Sequence, residues 1–136
     1  MNRVSGPLLD RIDIHIEVPP VDYTELSLAP PGTSSADIRE QVLAARNIQR
    51  ERFVRSRIRY NAGMSHRQVV QHCRLDDQGH KVLREAMEDF GLSARAHDKI
   101  LRIARTIADL ENSAGISPMH LFEAITYRTL DRKLWT

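Results

Sequence analysis

Residues 92–110 have the sequence LSARAHDKILRIARTIADL, whose apolar side chains recur at the three- and four-residue spacing that is typical of an α-helix. The apolar residues are Ile100, Leu101, Ile103, Ala104, Ile107, Ala108 and Leu110. A set this broad covers more than one face, which indicates a helix surrounded by other helices. We therefore predict that a helix capped by Ser93 forms the centre of a helical bundle.

Capping signals on both sides of this helix predict the remaining elements. They are Ser34 with Asp37, Ser65 with Gln68, Asp76 or Asp77, and Ser117 with Pro118. We predict helices from about 35 to the mid-50s, from 65 to about 73, from about 77 to a stop at Gly91, and from 118 onward. Because the connections are short, the expected fold is all-α, a small bundle of about five helices.

Each predicted helix has an apolar face that should be buried. The predicted inner residues are Ile38, Val42, Ala45 and Phe53 in the first helix, Val69 and Val70 in the second, Val82, Leu83, Ala86, Met87 and Phe90 in the third, and Leu121, Phe122, Ala124 and Ile125 in the last. The chain has 136 residues, 41% of them apolar, which is enough for the core of one domain.

The chain before these helices follows a different pattern. Ile12, Ile14, Ile16 and Val18 alternate with polar residues, which predicts a half-buried β-strand. Because a lone strand cannot satisfy its own backbone groups, we expect its partners in another chain or upstream of Met1. Prolines in residues 19–33 predict a linker after the strand. We expect residues 1–33 to be mobile or paired non-natively in this chain.

Composition and net charge limit the possible functional classes. Twenty basic and eighteen acidic residues give a formal net charge of +2, which is too small to indicate by itself nucleic acid, a membrane or an acidic ligand as a partner, so any basic signal must be local. The single cysteine, Cys73, excludes an internal disulfide. No early apolar stretch resembles a signal peptide or a membrane span. We expect a cytoplasmic protein with no membrane partner.

Three arginines are candidate ligands of phosphate. Arg11 stands between Asp10 and Asp13, and it either reaches an anion outside its own subunit or forms a local ion pair. Arg95 lies in the first turn of the central helix, where free N–H groups and the helix dipole attract anions, although exposed arginines are also common there. Arg102, two turns later, either supports Arg95 or is solvated.

Four stretches carry a family resemblance: SGPLLDRID at 5–13, LSARA at 92–96, ILRIARTIADL at 100–110 and HLFEAITYR at 120–128. They resemble the C-terminal part of the bacterial magnesium-chelatase-like AAA+ ATPases, in their competence-associated branch, and the resemblance covers nearly the whole chain. It implies that Arg11 is an arginine finger, which reaches the nucleotide of the neighbouring subunit. It also implies that Arg95 is the sensor-2 arginine, which contacts the nucleotide of its own subunit.

The resemblance further implies a division of the chain and a set of partners. Residues 1–33 would be the remnant of an AAA+ core, and residues 34–136 would form the helical lid domain. The partners would be the upstream core and the neighbouring subunits of a ring, with ATP and magnesium bound in the full-length protein. Such a lid couples ATP binding and hydrolysis to motion of the ring, which we expect to act on DNA in recombination or transformation.

The sequence lacks the elements that bind and hydrolyse ATP in this class of protein. It contains no G-x-x-x-x-G-K-[ST] phosphate loop and no apolar strand that ends in an acidic pair able to hold magnesium. We therefore expect that this chain alone is no ATPase and binds neither ATP nor magnesium. The missing elements are expected upstream of Met1.

A basic run supports a second hypothesis. Its members are Arg46, Arg50, Arg52, Arg55, Arg57 and Arg59. We take Arg46, Arg50 and Arg57 as candidate contacts to a nucleic-acid backbone, and the alternative is a solvated, arginine-rich helix. On this hypothesis the chain is a stand-alone all-α adaptor that binds DNA or protein through its first helix.

Metal binding is the remaining candidate chemistry. His66, His72, Cys73 and His80 have side chains that zinc accepts as ligands, but their spacing matches no common ligand motif. We therefore predict no metal site.

Overall fold

A computed structural model describes residues 6–133, and within these residues it contains helices and no strand. The α-helices are α1 (Gly6–Leu9), α2 (Tyr23–Leu28), α3 (Ser35–Arg52), α4 (His66–His72), α5 (Asp77–Phe90), α6 (Ala94–Leu110) and α7 (Pro118–Lys133), with a 3-10 turn at Asn61–Gly63. The predicted all-α fold is therefore confirmed. None of the helices in this range is long and apolar enough to cross a membrane.

Helix α6 is the centre of the bundle, as its broad apolar set predicts. Helices α3, α4 and α7 and the 3-10 turn all contact α6, and α5 packs against α7. The residues of α6 that are buried in this core are Ile100, Leu101, Ile103, Ala104, Ile107 and Ala108. Leu110, which was predicted to belong to the same set, is 43% exposed because it lines the cavity described below.

The predicted caps set the helix boundaries. Ser93 accepts a hydrogen bond from the Ala96 amide (3.2 Å), Ser65 and Gln68 form a capping box, and of the two candidate aspartates Asp76 caps α5 through the Gly79 amide (2.7 Å). Gly91 ends α5 at φ 55° and ψ 45°, a left-handed conformation that glycine adopts without a steric cost. At α3 the box is incomplete, because Asp37 accepts from the Ser34 hydroxyl (2.7 Å) instead of the Ser34 amide.

Several residues predicted to face inward are exposed: Ile38, Val42, Val70 and Phe122. In α3, no residue before Ala45 is buried, which indicates that the other helices cover only its C-terminal half. Val70 and Phe122 each follow a fully buried residue, Val69 and Leu121. Consecutive helical residues point about 100° apart, so only one of each pair faces the core.

The structure differs from the prediction in both the strand and the linker. Residues 12–22 have no regular structure, and Ile12, Ile14, Ile16 and Val18 are all exposed. Within the predicted linker the chain forms α2, because the Asp22 carboxylate caps it by accepting from the Thr24 amide (2.9 Å). No residue of α2 is buried. Ser5, at the start of the first resemblance stretch, lies outside the described residues.

A buried ionic network joins the end of α3 to α6. The Asp109 side chain is fully buried and accepts hydrogen bonds from Arg52 (2.6 and 2.7 Å), Arg105 (3.2 Å) and Asn61 (2.8 Å). Arg105 also donates to two carbonyl oxygens of the α6–α7 loop (2.7 and 3.1 Å). Burial lowers the pKa of Arg105, and the nearby Asp109 carboxylate opposes that shift. Each charged group in the network is therefore compensated by a partner.

Candidate functional site

A cavity of about 1040 Å³ lies between residues 10–16 and the helices α6 and α7. Its apolar part is lined by Ile14, Ile16, Ile103, Ile107, Leu110 and Tyr127. Its cationic part is lined by Arg11, Arg95, Lys99 and Arg102, so all three candidate arginines are brought together.

Arg95 occupies the second position of α6, two residues after the Ser93 cap. Its side chain is exposed and lines the cavity, and it makes no ion pair or hydrogen bond with the described residues. The first turn of a helix has free N–H groups and the positive end of the helix dipole, both of which favour an anion. The guanidinium group adds a full positive charge at the same end of α6.

Arg11 lies in a turn after α1, in which its amide donates to the Leu8 carbonyl (3.0 Å). Arg11 forms no ion pair with Asp10 or Asp13, because both carboxylates contact other cations. Asp10 lies 3.6 Å from Arg128, and Asp13 lies 3.2 Å from Lys99. The exposed Arg11 side chain has no ion-pair partner among the described residues.

Arg102 has a structural role that neither alternative anticipated. Its Nε and Nη2 atoms donate to the Met64 carbonyl oxygen at 3.1 and 2.6 Å. This bond fixes the chain between the 3-10 turn and α4 onto α6. Arg102 is therefore not simply solvated, and it lines the same cavity as Arg95.

The remaining carboxylates of the cavity wall also have partners. Asp98 contacts His66 (2.9 Å) and His97 (3.0 Å), Glu111 contacts His120 (2.6 Å), and Glu123 accepts from the Tyr127 hydroxyl (2.8 Å). Burial alone would raise the pKa of Asp98, but hydrogen bonds with His97 and His66 lower it overall. The hydrogen bond to Glu123 raises the pKa of Tyr127. Among the described charged groups of this wall, only Arg11 and Arg95 lack a bonded partner.

A second, smaller cavity of about 370 Å³ lies at the end of α3 and carries part of the basic run. Arg46, Arg50, Arg59 and Tyr60 line it, and the Arg46 guanidinium lies 5.2 Å from the centre of the Tyr60 ring. Arg57 is exposed but outside this cavity. Arg52 does not belong to the basic surface, since it points inward to Asp109.

Two of the four candidate metal ligands make other side-chain contacts. His66 is bound to Asp98, and His72 packs edge-on against the Phe53 ring, with 5.5 Å between ring centres. Cys73 is buried, which raises the pKa of its thiol to about 11. Within residues 6–133, no three such side chains lie close enough together to share a metal ion.

Comparison with known proteins assigns the chain to a family. Residues 32–128 match the family described as "Magnesium chelatase, subunit ChlI C-terminal". The chain belongs to this ChlI C-terminal family. It is 41% identical over 135 residues to Competence protein ComM of Haemophilus influenzae, and 38% identical over 135 residues to the uncharacterized protein YifB of Escherichia coli. The alignments cover 98% of this chain but only 26% of each relative, so the chain spans about a quarter of their length.

Membership of the ChlI C-terminal family confirms the resemblance that the sequence motifs indicated. Arg95 and Arg102 lie inside the matched range, whereas Arg11 lies before residue 32, where the match begins. A relative from Mycobacterium bovis, the uncharacterized protein Mb2921c, is 29% identical over 128 residues. The chain is thus the C-terminal domain of a magnesium-chelatase-like protein.

Sequence reasoning missed two cations beside Arg11. Lys99 and Arg128 contact the residues on either side of it. Lys99 lies four residues after Arg95, one helical turn along the same face, and this spacing is the signal that could have identified it. No comparable signal marks Arg128.

Proposed function

We propose that this ChlI C-terminal domain is the lid of a cytoplasmic, ring-forming AAA+ ATPase that acts on DNA. Residues 34–136 would form the lid, and residues 1–33 would be the last part of an upstream core that holds ATP and magnesium. Family membership supports the lid assignment. The similarity to ComM, which is named a competence protein, supports a role in recombination or transformation.

One observation carries the proposal: Arg11 and Arg95 line the same cavity and are its unpaired cations among the described residues. Two unpaired guanidinium groups favour a ligand with several negatively charged oxygens, because each can form two charge-assisted hydrogen bonds. The start of α6 adds its dipole to the same region. A nucleoside triphosphate, supplied by an AAA+ core, is an anion of this kind.

The shared cavity also supports a revised division of labour. The resemblance assigns Arg95 to the nucleotide of its own subunit and Arg11 to that of the neighbour. Because both side chains line one cavity of one chain, we propose that both act on the same triphosphate, held by the neighbouring core. Arg11 would neutralise the charge that develops on the transferred phosphoryl group, and Arg95 would hold the triphosphate in place.

This arrangement gives ATP a way to move the ring. A bound triphosphate stabilises the conformation in which both arginines reach it, and hydrolysis removes the anion that favours this conformation. The lid and the neighbouring core then separate. Repeated closing and opening of such contacts converts nucleotide state into domain motion.

Mixed rings of the complete protein test the revised assignment. One variant has a core that cannot bind ATP but retains both arginines, and the other is Arg11→Ala/Arg95→Ala with an intact core. Each variant alone should be inactive. Mixing them should restore ATP hydrolysis, because an intact core then receives both guanidinium groups from its neighbour.

The Arg11→Ala single variant is the control, since mixing should restore its activity on either assignment. If mixing rescues Arg11→Ala but not Arg11→Ala/Arg95→Ala, then Arg95 acts on the nucleotide of its own subunit. If neither arginine variant lowers ATP hydrolysis, the lid proposal itself is wrong.

The basic cavity at the end of α3 favours a second candidate function, direct DNA binding by this domain. Arg46, Arg50 and Arg59 would contact phosphates, and Tyr60 would offer an aromatic face for a base. We expect single-stranded DNA to bind this chain with an affinity that falls as salt rises. Each phosphate contact should contribute about 0.7 to the slope of log affinity against log salt concentration.

The variant Arg46→Ala/Arg50→Ala should reduce that slope by about 1 to 1.5. Arg84→Ala is the matched control, because Arg84 is an exposed arginine on α5, away from this cavity. An equal loss in both variants, or no binding by the unmodified chain, would exclude this cavity as a DNA site.

A further inference from the structure

Residues 10–15, which carry Arg11, are held on the lid by two cations. Lys99 of α6 lies 3.2 Å from the Asp13 carboxylate and donates a hydrogen bond to the Asp10 carbonyl oxygen. Arg128 of α7 lies 3.6 Å from the Asp10 carboxylate and donates to the Ile12 carbonyl oxygen. The contacts fall on both sides of Arg11 and leave its own side chain exposed at the cavity.

A backbone bond extends this attachment. The His15 amide donates to the carbonyl oxygen of Tyr127 on α7 (2.9 Å). Residues 12–22 have no strand or helix of their own, so these bonds replace the regular hydrogen bonding that would otherwise fix the backbone. The position of Arg11 therefore depends on side chains that belong to the lid.

The two cations are placed to form firm contacts. The Lys99 side chain is 17% exposed and the Arg128 side chain 5% exposed, whereas the carboxylates of Asp13 and Asp10 are 57% and 47% exposed. Solvent therefore screens the two ion pairs in part, and the hydrogen bonds to the carbonyl oxygens of Asp10 and Ile12 add to the attachment. Among the described residues, Asp10 is the ion-pair partner of Arg128, so Arg128 would lose this counter-ion if residues 10–12 moved away. The contacts to the carbonyl oxygens of Asp10 and Ile12 do not involve the aspartate side chains.

We propose that Lys99 and Arg128 are positioning residues for Arg11. Lys99 lies one turn after Arg95 on α6, so the helix that carries Arg95 also holds the segment that carries Arg11. Movement of α6 then moves both guanidinium groups together, and the two reach the triphosphate as one unit. This inference rests on the proposed function, which supplies the triphosphate.

The test separates positioning from binding in the complete protein. Lys99→Met keeps the length of the side chain and removes its charge. We expect kcat for ATP hydrolysis to fall on the order of tenfold to a hundredfold, because a misplaced catalytic group costs about that much. KM for ATP should stay within about threefold, because Arg95 still holds the triphosphate, and Lys99→Arg should restore most of kcat.

Asp13→Asn is the second variant, and it distinguishes positioning from direct contact. It leaves the charge of Lys99 in place and lies on an exposed segment, so the bundle should remain folded. A fall in kcat for Asp13→Asn supports positioning. An unchanged kcat in Asp13→Asn, together with a reduced kcat but unchanged exchange of the His15 amide in Lys99→Met, indicates direct contact of Lys99 with the nucleotide and overturns the proposal. Lys81→Met is the matched control, because Lys81 pairs with Glu85 on the surface of α5, at 3.9 Å.

Hydrogen exchange tests the positioning role in this chain alone, without ATP. In Lys99→Met the amide of His15 should exchange with solvent at least about tenfold faster than in the unmodified chain, since its bond to Tyr127 depends on the attachment. Unchanged exchange overturns the proposal even if the complete protein proves to have no ATPase activity. If Arg11→Ala abolishes turnover but Lys99→Met changes neither kcat nor exchange, the positioning role fails and the proposed function stands.

Discussion

Replacing Arg11 by alanine in the complete protein should lower ATP turnover by about a thousand- to a hundred-thousand-fold, the range found when an arginine finger is removed from a nucleotide hydrolase. ATP binding should stay nearly unchanged, because the finger interacts mainly with the charge that develops in the transition state. Steady-state hydrolysis and the dissociation constant of a fluorescent ATP analogue give the two quantities. Arg11 has no ion-pair partner among the described residues, so the substitution should cost little stability.

Two further variants test whether the loss of turnover is specific to the guanidinium group of Arg11. Arg11→Lys keeps the charge but loses the planar, two-pronged geometry, and it should recover only a small part of the rate. Arg74→Ala removes an exposed arginine that does not line the cavity, and it should leave turnover unchanged. Turnover within about tenfold of normal in Arg11→Ala, measured on assembled rings, would show that Arg11 is not the finger.

The helices could be predicted because their signals are local. A cap and an apolar spacing of three or four residues are both contained in a few turns of chain, as Ser93 and the residues after it show. The same dependence on local signals explains why some residues that were predicted to face inward are exposed. The spacing places Ile38 and Val42 on one face of α3, but only the packing of distant helices decides whether that face is covered.

The N-terminal segment shows where local reasoning ends. The alternation of Ile12, Ile14 and Ile16 predicts a strand, yet a strand requires a partner, and the described residues contain none. The segment instead lies against side chains of Lys99 and Arg128, which are distant in sequence. A pairing across such a distance leaves no periodic signal in either segment.

The candidate site could be predicted residue by residue but not as a site. Arg95 follows from its position after a cap, and Arg11 from its resemblance to a finger motif. That the two line one cavity could not be inferred, because it depends on how residues 10–16 lie on α6. Arg52 shows the opposite case, since its place in a basic run hides its buried bond to Asp109.

Replacing Asp109 by alanine should lower the free energy of unfolding by about 3–5 kcal/mol. The carboxylate is fully buried between Arg52 and Arg105, and its removal leaves two largely buried guanidinium groups without their counter-ion. Asn61 loses a hydrogen-bond acceptor as well. Urea denaturation of this chain, followed by circular dichroism, measures the loss.

The size of that loss should depend on the charges left behind more than on the bonds removed. Arg52→Met/Asp109→Ala also removes one of the two guanidinium groups that Asp109→Ala leaves without a counter-ion. The double variant should therefore be more stable than Asp109→Ala. If the two sites were independent, the second substitution would add its own destabilisation instead. Glu85→Ala, which breaks the exposed pair with Lys81, should cost no more than about 0.5 kcal/mol. If the double variant is instead the less stable one, the Arg52–Asp109 pair does not compensate charge, and the network stabilises the end of α3 through packing alone.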